Sequence, residues 1–219
     1  MNEQNMTDTS ASTASQATPQ RSRLSAYVAD TVAKLQSGYL RDDAVAVAAL
    51  AKLRRGVGKE PGDIMELSQW TSAGLYVENP SDDEISSTER AAYTAITLFA
   101  IHQQSRRAKP MHKPWSSFAQ ALRALSISQG ERSAASDYQQ SPNNAGVLRR
   151  FSALGTAQTH EELARHALGL IQQLRAAEIP FDYGQFADDL HKLQDFARGA
   201  GVRARWGREF YRLDARSKN

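Results

Sequence analysis

Cysteine is absent from the 219-residue sequence. The chain therefore forms no disulfide and no thiolate metal site, which suits a reducing compartment without proving one. Long apolar runs are also missing: the longest, residues 44–51, is rich in alanine and far too short to span a bilayer. Residues 1–10 are polar and do not have the basic and apolar stretches of a secretory signal. We therefore expect a cytoplasmic protein with no membrane partner.

Motifs for catalysis and metal binding are missing as well. His160 and His166 lie six residues apart, on different faces of a helix, whereas a zinc-binding helix places two histidines four residues apart. The other histidines are isolated, and we expect them at the surface or in loops: His102, His112 and His191. The adjacent Asp188 and Asp189 diverge on a helix and are expected on a solvated face. We predict no enzyme activity, no cofactor, no metal and no small-molecule substrate.

Strand patterns are absent too, and apolar residues recur at helical spacing almost everywhere after residue 20. Predicted helices cover residues 21–36 and 43–56, and further ones begin near residues 86, 115, 147, 159, 182 and 202. Capping signals support several of these starts: Asp42 or Asp43, Ser86 with Glu89, Thr159 with Glu162, and Asp182 with Gln185. The helix opened by Asp182 is predicted to continue to Ala197. A polar loop is predicted over residues 128–143.

The predicted fold is all-α, with two small helical-bundle domains and about eight to nine helices. Residues 1–20 are polar and cannot bury enough surface to order themselves, so we expect a disordered tail there. Pro110 and Pro114 interrupt the helical pattern and mark the preferred boundary. The N-terminal helical domain is thus expected over residues 21–113 and the C-terminal bundle over residues 114–219.

Charge is distributed unevenly along the chain. Residues 1–100 hold 9 basic against 13 acidic residues, and residues 101–219 hold 18 against 11. Arginine outnumbers lysine by 20 to 7. The planar guanidinium matches phosphate geometry and stacks on bases, so this bias favours a nucleic-acid partner. An arginine-rich composition also arises from a GC-rich genome, and composition alone leaves both explanations open.

Four basic clusters are candidate nucleic-acid-binding sites. Their members are Arg54, Arg55 and Lys59; Arg106, Arg107, Lys109 and Lys113; Arg149 and Arg150; and Arg203, Arg205, Arg208 and Arg212. The last cluster lies on a helix predicted over residues 202–213, whose apolar residues converge on one face while Arg205, Arg208 and Arg212 form a stripe on another. Such a row of arginines can follow a phosphate backbone. Each cluster taken alone is equally consistent with a solvated helix face.

Several segments carry a family resemblance when they are taken in order. They are LAKLRRG at 50–56, GKEPG at 58–62, FAQAL at 118–122, RRF at 149–151, IPFDY at 179–183 and VRARWGREFY at 202–211. Together they resemble the CasB family, the small subunit of the type I-E CRISPR Cascade complex. The resemblance extends over roughly residues 24–213.

The resemblance implies a non-catalytic, all-α subunit of an RNA-guided surveillance complex. Its implied partners are the other Cascade subunits, a second copy of itself, and the backbones of guide RNA and target DNA. The implied role is to brace the guide and target strands and to hold the displaced strand of the R-loop. Two rival hypotheses remain: a free-standing helical DNA-binding regulator, although no helix-turn-helix spacing is evident, and a structural adaptor between proteins.

Overall fold

The computed structural model describes residues 20–75, 84–134 and 142–212. Within these ranges the chain forms nine α-helices: α1 (Arg23–Leu40), α2 (Ala44–Arg54), α3 (Ser68–Thr71), α4 (Ser87–Gln103), α5 (Phe118–Ala134), α6 (Pro142–Thr156), α7 (His160–Ala177), α8 (Tyr183–Leu193) and α9 (Phe196–Phe210). A short 3₁₀ turn, Met65–Leu67, precedes α3. No strand forms in the described ranges, where His112 and Phe181 make one isolated bridge. The all-α prediction is confirmed, whereas nearly all of the predicted tail lies outside the described residues.

Side-chain caps fix the starts of several helices. Asp43 accepts a hydrogen bond from the Val45 amide and opens α2, as predicted. At α4 the Ser86 hydroxyl accepts from the Glu89 amide at 3.1 Å, and the Glu89 carboxylate accepts from the Ser86 amide at 2.9 Å. These reciprocal bonds form the predicted capping box and satisfy two backbone donors that the helix leaves unpaired.

The start of α7 differs in detail from its sequence signal. Thr159 accepts from the Glu162 amide at 3.1 Å, as a helix cap does. The Glu162 carboxylate, however, accepts from the amide of Gln158 at 3.0 Å rather than from that of Thr159. Thr159 is therefore an N-cap, and the reciprocal half of a capping box is displaced by one residue.

Three predicted boundaries were wrong. The helix predicted to continue to Ala197 ends at Leu193, because Asp195 accepts from the Arg198 amide and opens a new helix, α9. α9 consequently begins at Phe196 and ends at Phe210, not at residues 202 and 213. The polar loop predicted over 128–143 is partly helical, since α5 runs to Ala134 and α6 begins at Pro142. Residues 135–141 of that loop lie outside the described residues.

Helix α8 occupies the centre of the bundle and packs against α1, α4 and α9. Gly184 permits its closest approach: a Cβ placed there would lie 2.4 Å from the Ser25 carbonyl oxygen and 2.9 Å from the Ala29 Cβ. The α1 and α8 backbones thus touch where a larger residue would separate them. One hydrophobic core runs through helices on both sides of Pro114. The division at residue 113 stays a prediction, and the two segments share this core.

Aromatic rings fill the centre of the core. Phe181 stacks on Tyr183 with ring centroids 4.3 Å apart, and Phe118 contacts Phe186 at 4.7 Å. All four rings are almost completely buried. Because α5 and α8 contribute rings to the same cluster, it joins the beginning of the C-terminal segment to the central helix.

Two histidines belong to this core, so their predicted surface location was wrong. His102 is fully buried, and its Nδ1 lies 3.0 Å from the Tyr183 hydroxyl oxygen. His112 is also buried, and its Nδ1 accepts a hydrogen bond from the Tyr183 amide at 3.2 Å. His191 is half-buried, with Nδ1 3.3 Å from the Ser87 hydroxyl. His102 follows Phe99 at helical spacing, on the apolar face of α4, and that spacing is the signal that predicts its burial.

Burial of His102 makes the stability of the fold depend on pH. Burial lowers the pKa of His102 from 6.5 to about 3. The unfolded chain therefore binds a proton below pH 6.5 that the folded chain excludes, and stability falls as the pH falls through this window. Between pH 7 and pH 5 this histidine alone is expected to remove about 2 kcal/mol from the free energy of unfolding.

The His102→Gln variant, which does not titrate, tests this expectation by urea denaturation at pH 7 and pH 5. Its stability is expected to fall by about 2 kcal/mol less than that of the wild type over this interval, whatever its stability at pH 7. An identical loss in the two proteins would contradict a buried, neutral His102.

Candidate nucleic-acid interface

The first basic cluster lies where α2 ends. Arg54 is the last residue of the helix, and Arg55 directly follows it. The guanidinium of Arg55 lies 2.8 Å from the carboxylate of Glu66. Arg54 is partly exposed and Lys59 is exposed, and neither side chain has a hydrogen bond or an ion pair among the described residues. This cluster therefore offers two unpaired cations and one paired cation.

Two members of the second cluster converge on one carboxylate. Glu178 ends α7 in a left-handed backbone conformation, with φ at 56°. Arg106 Nη1 lies 3.4 Å from a Glu178 oxygen, and Lys109 Nζ pairs with the other oxygen. The hydrogen bond from Lys109 lowers the pKa of Glu178. Arg106 also donates from Nε to the Arg175 carbonyl at 3.1 Å, so it links the connector after α4 to the end of α7.

The other two members of the second cluster differ from each other. Arg107 pairs with Asp42 and lies over the Tyr39 ring, with its Cζ 5.0 Å from the ring centroid. Lys113 is exposed, and its side chain has no partner among the described residues. Its backbone amide donates to the Phe181 carbonyl at 3.0 Å. Three of the four cations in this connector are therefore already used within the protein.

The third cluster, Arg149 and Arg150, projects from α6. Both side chains are exposed, and neither makes a hydrogen bond or an ion pair within the described part of the chain. Their orientation follows from Val147 and Phe151, which are buried on the opposite face. Arg150 lies across Gly169 of α7, where a Cβ would come within 3.3 Å of its Nε. The pair thus presents two adjacent, unneutralised guanidinium groups on a helix anchored in the core.

Helix α9 confirms its predicted apolar face. Val202, Trp206 and Phe210 are buried, as the helical spacing predicts. Trp206 contacts Phe118 at 5.6 Å and Phe151 at 6.3 Å between ring centroids. The helix is therefore fixed against both α5 and α6.

The arginines of α9 do not form the predicted stripe. Arg205 pairs with Asp189, which is 1% exposed. Arg203 donates from Nε to the Gly155 carbonyl at 2.7 Å. Arg208 is exposed and has no partner in the described ranges, whereas Arg212 lies beyond the end of the helix.

Asp189 is the reason for this difference, and its expected solvated position was wrong. Its carboxylate faces α9, where it accepts a hydrogen bond from the Trp206 indole at 2.9 Å in addition to the Arg205 pair. Burial raises the pKa of Asp189 to about 6 against the opposing effect of the Arg205 guanidinium. Arg205 therefore compensates a buried charge, and this use is unrelated to any ligand.

The candidate cations thus fall into two groups. One group is held by partners inside the protein: Arg55, Arg106, Arg107, Lys109, Arg203 and Arg205. The other has side chains without a partner among the described residues: Arg54, Lys59, Lys113, Arg149, Arg150, Arg208 and Arg212. Only the second group is free to neutralise phosphates without first breaking an ion pair or a hydrogen bond.

Sequence reasoning missed one exposed cation, Arg165 on α7. It shares a recess of about 230 Å³ with Lys59, and Tyr93 and Leu168 form part of its wall. The Arg165 side chain has no partner among the described residues. Its position two residues after Leu163, on the polar side of an amphipathic helix, is the signal that places it at the surface.

Metal and membrane sites are not found in the described ranges. No three histidine, aspartate or glutamate side chains there are placed to hold one metal ion. None of the described helices combines the length and the apolar character needed to cross a bilayer.

Comparisons with known proteins agree with the helical architecture. A family profile for the CRISPR-associated protein Cse2 matches residues 49–211. Among solved structures, the crystal structure of CasB from Thermobifida fusca is similar, with 33% sequence identity and a TM-score of 0.69. The similarity covers 87% of this chain and 99% of that chain. No match was found among curated proteins.

Proposed function

Because the chain belongs to the CRISPR-associated Cse2 family, which includes CasB, we propose that it is the non-catalytic small subunit of a type I-E Cascade complex. In this role it contacts the other Cascade subunits and a second copy of itself in the cytoplasm. It braces guide RNA and target strand through their backbones and holds the displaced strand of the R-loop. The guide RNA supplies sequence recognition, so contacts that are blind to sequence suit this subunit.

The exposed pair Arg149 and Arg150 is the observation that carries the nucleic-acid part of the proposal. Binding a phosphate to these guanidinium groups breaks no ion pair within the described protein. It also releases counterions from the strand, which is the main source of sequence-independent affinity. R-loop formation is a nearly balanced exchange of one duplex for another, so a few such contacts decide how long the open state persists. Arg106 and Lys109 already share Glu178 and contribute less.

Replacing Arg149 and Arg150 together with alanine is expected to weaken binding to single-stranded oligonucleotides about equally for every sequence. The slope of log affinity against log salt is expected to decrease by roughly one for each lost phosphate contact. The melting temperature is expected to stay unchanged, because both side chains are exposed and lack partners. Fluorescence anisotropy on unrelated strands, over a range of salt concentrations, measures both quantities.

A matched control separates local contact from net charge. Lys192→Ala with Arg198→Ala removes the same charge, but these two residues already pair with Asp188 and Asp195. The control is expected to bind nearly as the wild type does. If both double variants bind normally, the contact surface lies elsewhere and the adaptor hypothesis gains. Copurification of the wild-type protein with short repeat-derived RNA tests its place in the complex.

A further inference from the structure

Trp115 is a large aromatic residue displayed at the surface in an unfavourable backbone conformation. It directly precedes α5 in the connector, with φ at 63° and 51% of its surface exposed. A left-handed conformation is uncommon for a bulky residue, because its Cβ approaches the backbone. Such conformations persist only where surrounding contacts impose them, and they concentrate at binding sites.

Those contacts converge on the buried carboxylate of Asp182. The Trp115 amide donates to Asp182 Oδ2 at 2.7 Å, and the Asp182 amide donates to the Ser116 carbonyl at 2.7 Å. Arg21 donates to both carboxylate oxygens, at 3.1 and 2.5 Å. Burial raises the pKa of Asp182, but the hydrogen bonds from Arg21, Trp115 and Gln185 outweigh it and the net shift is downward. Asp182 therefore stays ionised and holds the connector in place at neutral pH.

Arg21 also fixes the ring itself. Its Cζ lies 4.3 Å from the centroid of the Trp115 ring, so the guanidinium supports the indole while it pairs with Asp182. The indole is thus held by Arg21 while half of the residue remains open to solvent. A ring that is held in advance loses little conformational freedom when a flat ligand stacks on it.

An open recess of about 380 Å³ lies beside the ring, and its chemistry indicates what kind of ligand it fits. Gln20 and Gln185 line it, and neither side-chain amide has a partner among the described residues. The cations of the recess are neutralised by carboxylates: Arg21 by Asp182, Lys192 by Asp188 and Arg205 by Asp189. A planar ring, free amides and neutralised charge suit an uncharged, flat, polar group better than a phosphate.

We propose that Trp115 and this recess bind one unstacked base of a single nucleic-acid strand. The base stacks on the indole, and the amides of Gln20 and Gln185 hydrogen-bond to its edge. Lys113, two residues earlier, is exposed and unpaired within the described protein, and it contacts the neighbouring phosphate. This inference rests on the proposed function and adds a contact to the base to a surface otherwise limited to the backbone.

The test compares the full-length wild type with Trp115→Leu and Trp115→Phe. The probes are oligothymidine and a strand of equal length that carries abasic sites. Trp115→Leu is expected to weaken binding to oligothymidine by about tenfold, because a base–aromatic stack is lost. It leaves the salt slope and the affinity for the abasic strand unchanged. Trp115→Phe keeps the stack and stays close to the wild type. Melting temperatures confirm that the exposed substitutions leave the fold intact.

Other outcomes overturn the inference. If Trp115→Leu binds oligothymidine normally while the Arg149 and Arg150 double variant binds weakly, the base site is wrong and the proposed function stands. An equal loss on both strands excludes stacking. If the wild type binds neither strand, both proposals fail. Displacement of the strand by micromolar free thymidine monophosphate would make the recess a nucleotide site. Normal strand binding with loss of Trp115→Leu from the assembled complex would make it a protein contact.

Discussion

Replacing Trp206 with alanine is expected to lower the free energy of unfolding by about 3–5 kcal/mol. The indole is 1% exposed and packs against the rings of Phe118 and Phe151, so its removal leaves a cavity between α5, α6 and α9. The substitution also removes the hydrogen bond from the indole to the buried carboxylate of Asp189. Urea denaturation monitored by circular dichroism measures the change.

Two further variants of α9 resolve the origin of this loss. Trp206→Phe keeps most of the ring volume and removes the N–H group, so its cost reports mainly the hydrogen bond to Asp189, at about 1–3 kcal/mol. Phe196→Ala removes an aromatic ring that is 90% exposed on the same helix and is expected to stay within about 0.5 kcal/mol of the wild type. Comparable losses for Phe196→Ala and Trp206→Ala would contradict the packing of α9.

Arg205→Ala is expected to destabilise the protein strongly, because it leaves the buried charge of Asp189 without its partner. Breaking a buried pair in this way costs about 3–5 kcal/mol, and we expect roughly 2–4 kcal/mol because Arg205 is itself partly exposed. The deficit depends on pH. Loss of the guanidinium raises the pKa of Asp189 further, so its protonation removes the unpaired charge as the pH falls. The variant is therefore expected to lie closer to the wild type at pH 5 than at pH 8.

Arg208→Ala is the matched control, since Arg208 lies three residues further along α9, is exposed and has no partner in the described ranges. Its effect on stability is expected within about 0.5 kcal/mol at either pH. Asp189→Asn in the Arg205→Ala background is expected to restore part of the stability, because the amide oxygen still accepts from Trp206 without a charge. If Arg205→Ala and Arg208→Ala destabilise equally little, Asp189 does not depend on the ion pair.

Local signals account for the parts of the fold that the sequence predicted well. Ser86 and Glu89 lie three residues apart and cap a helix through contacts within one turn, so no distant residue is needed to recognise them. Val202, Trp206 and Phe210 likewise share a face through helical geometry alone. The composition excluded disulfides for an equally local reason, since no cysteine exists.

The failures concern pairs of residues that only the tertiary structure brings together. Arg205 and Arg208 are both arginines on one helix, and they differ because Asp189 of α8 faces only Arg205. Asp189 lies three residues after the buried Phe186, so its face was predictable, but the partner across the helix contact was not. The family resemblance was specific because it used six segments in order, whereas none of them reveals which cations are already paired.

The contact between Gly184 and Ser25 also bears on how the protein is made. The partner of α1 lies about 160 residues later in the chain, which a ribosome needs roughly ten to thirty seconds to add. Until α8 emerges, Leu24, Val28 and Val32 lack part of the surface that buries them in the finished core. The earliest apolar face of the nascent chain is thus completed among the last, and it stays accessible to chaperones throughout that interval.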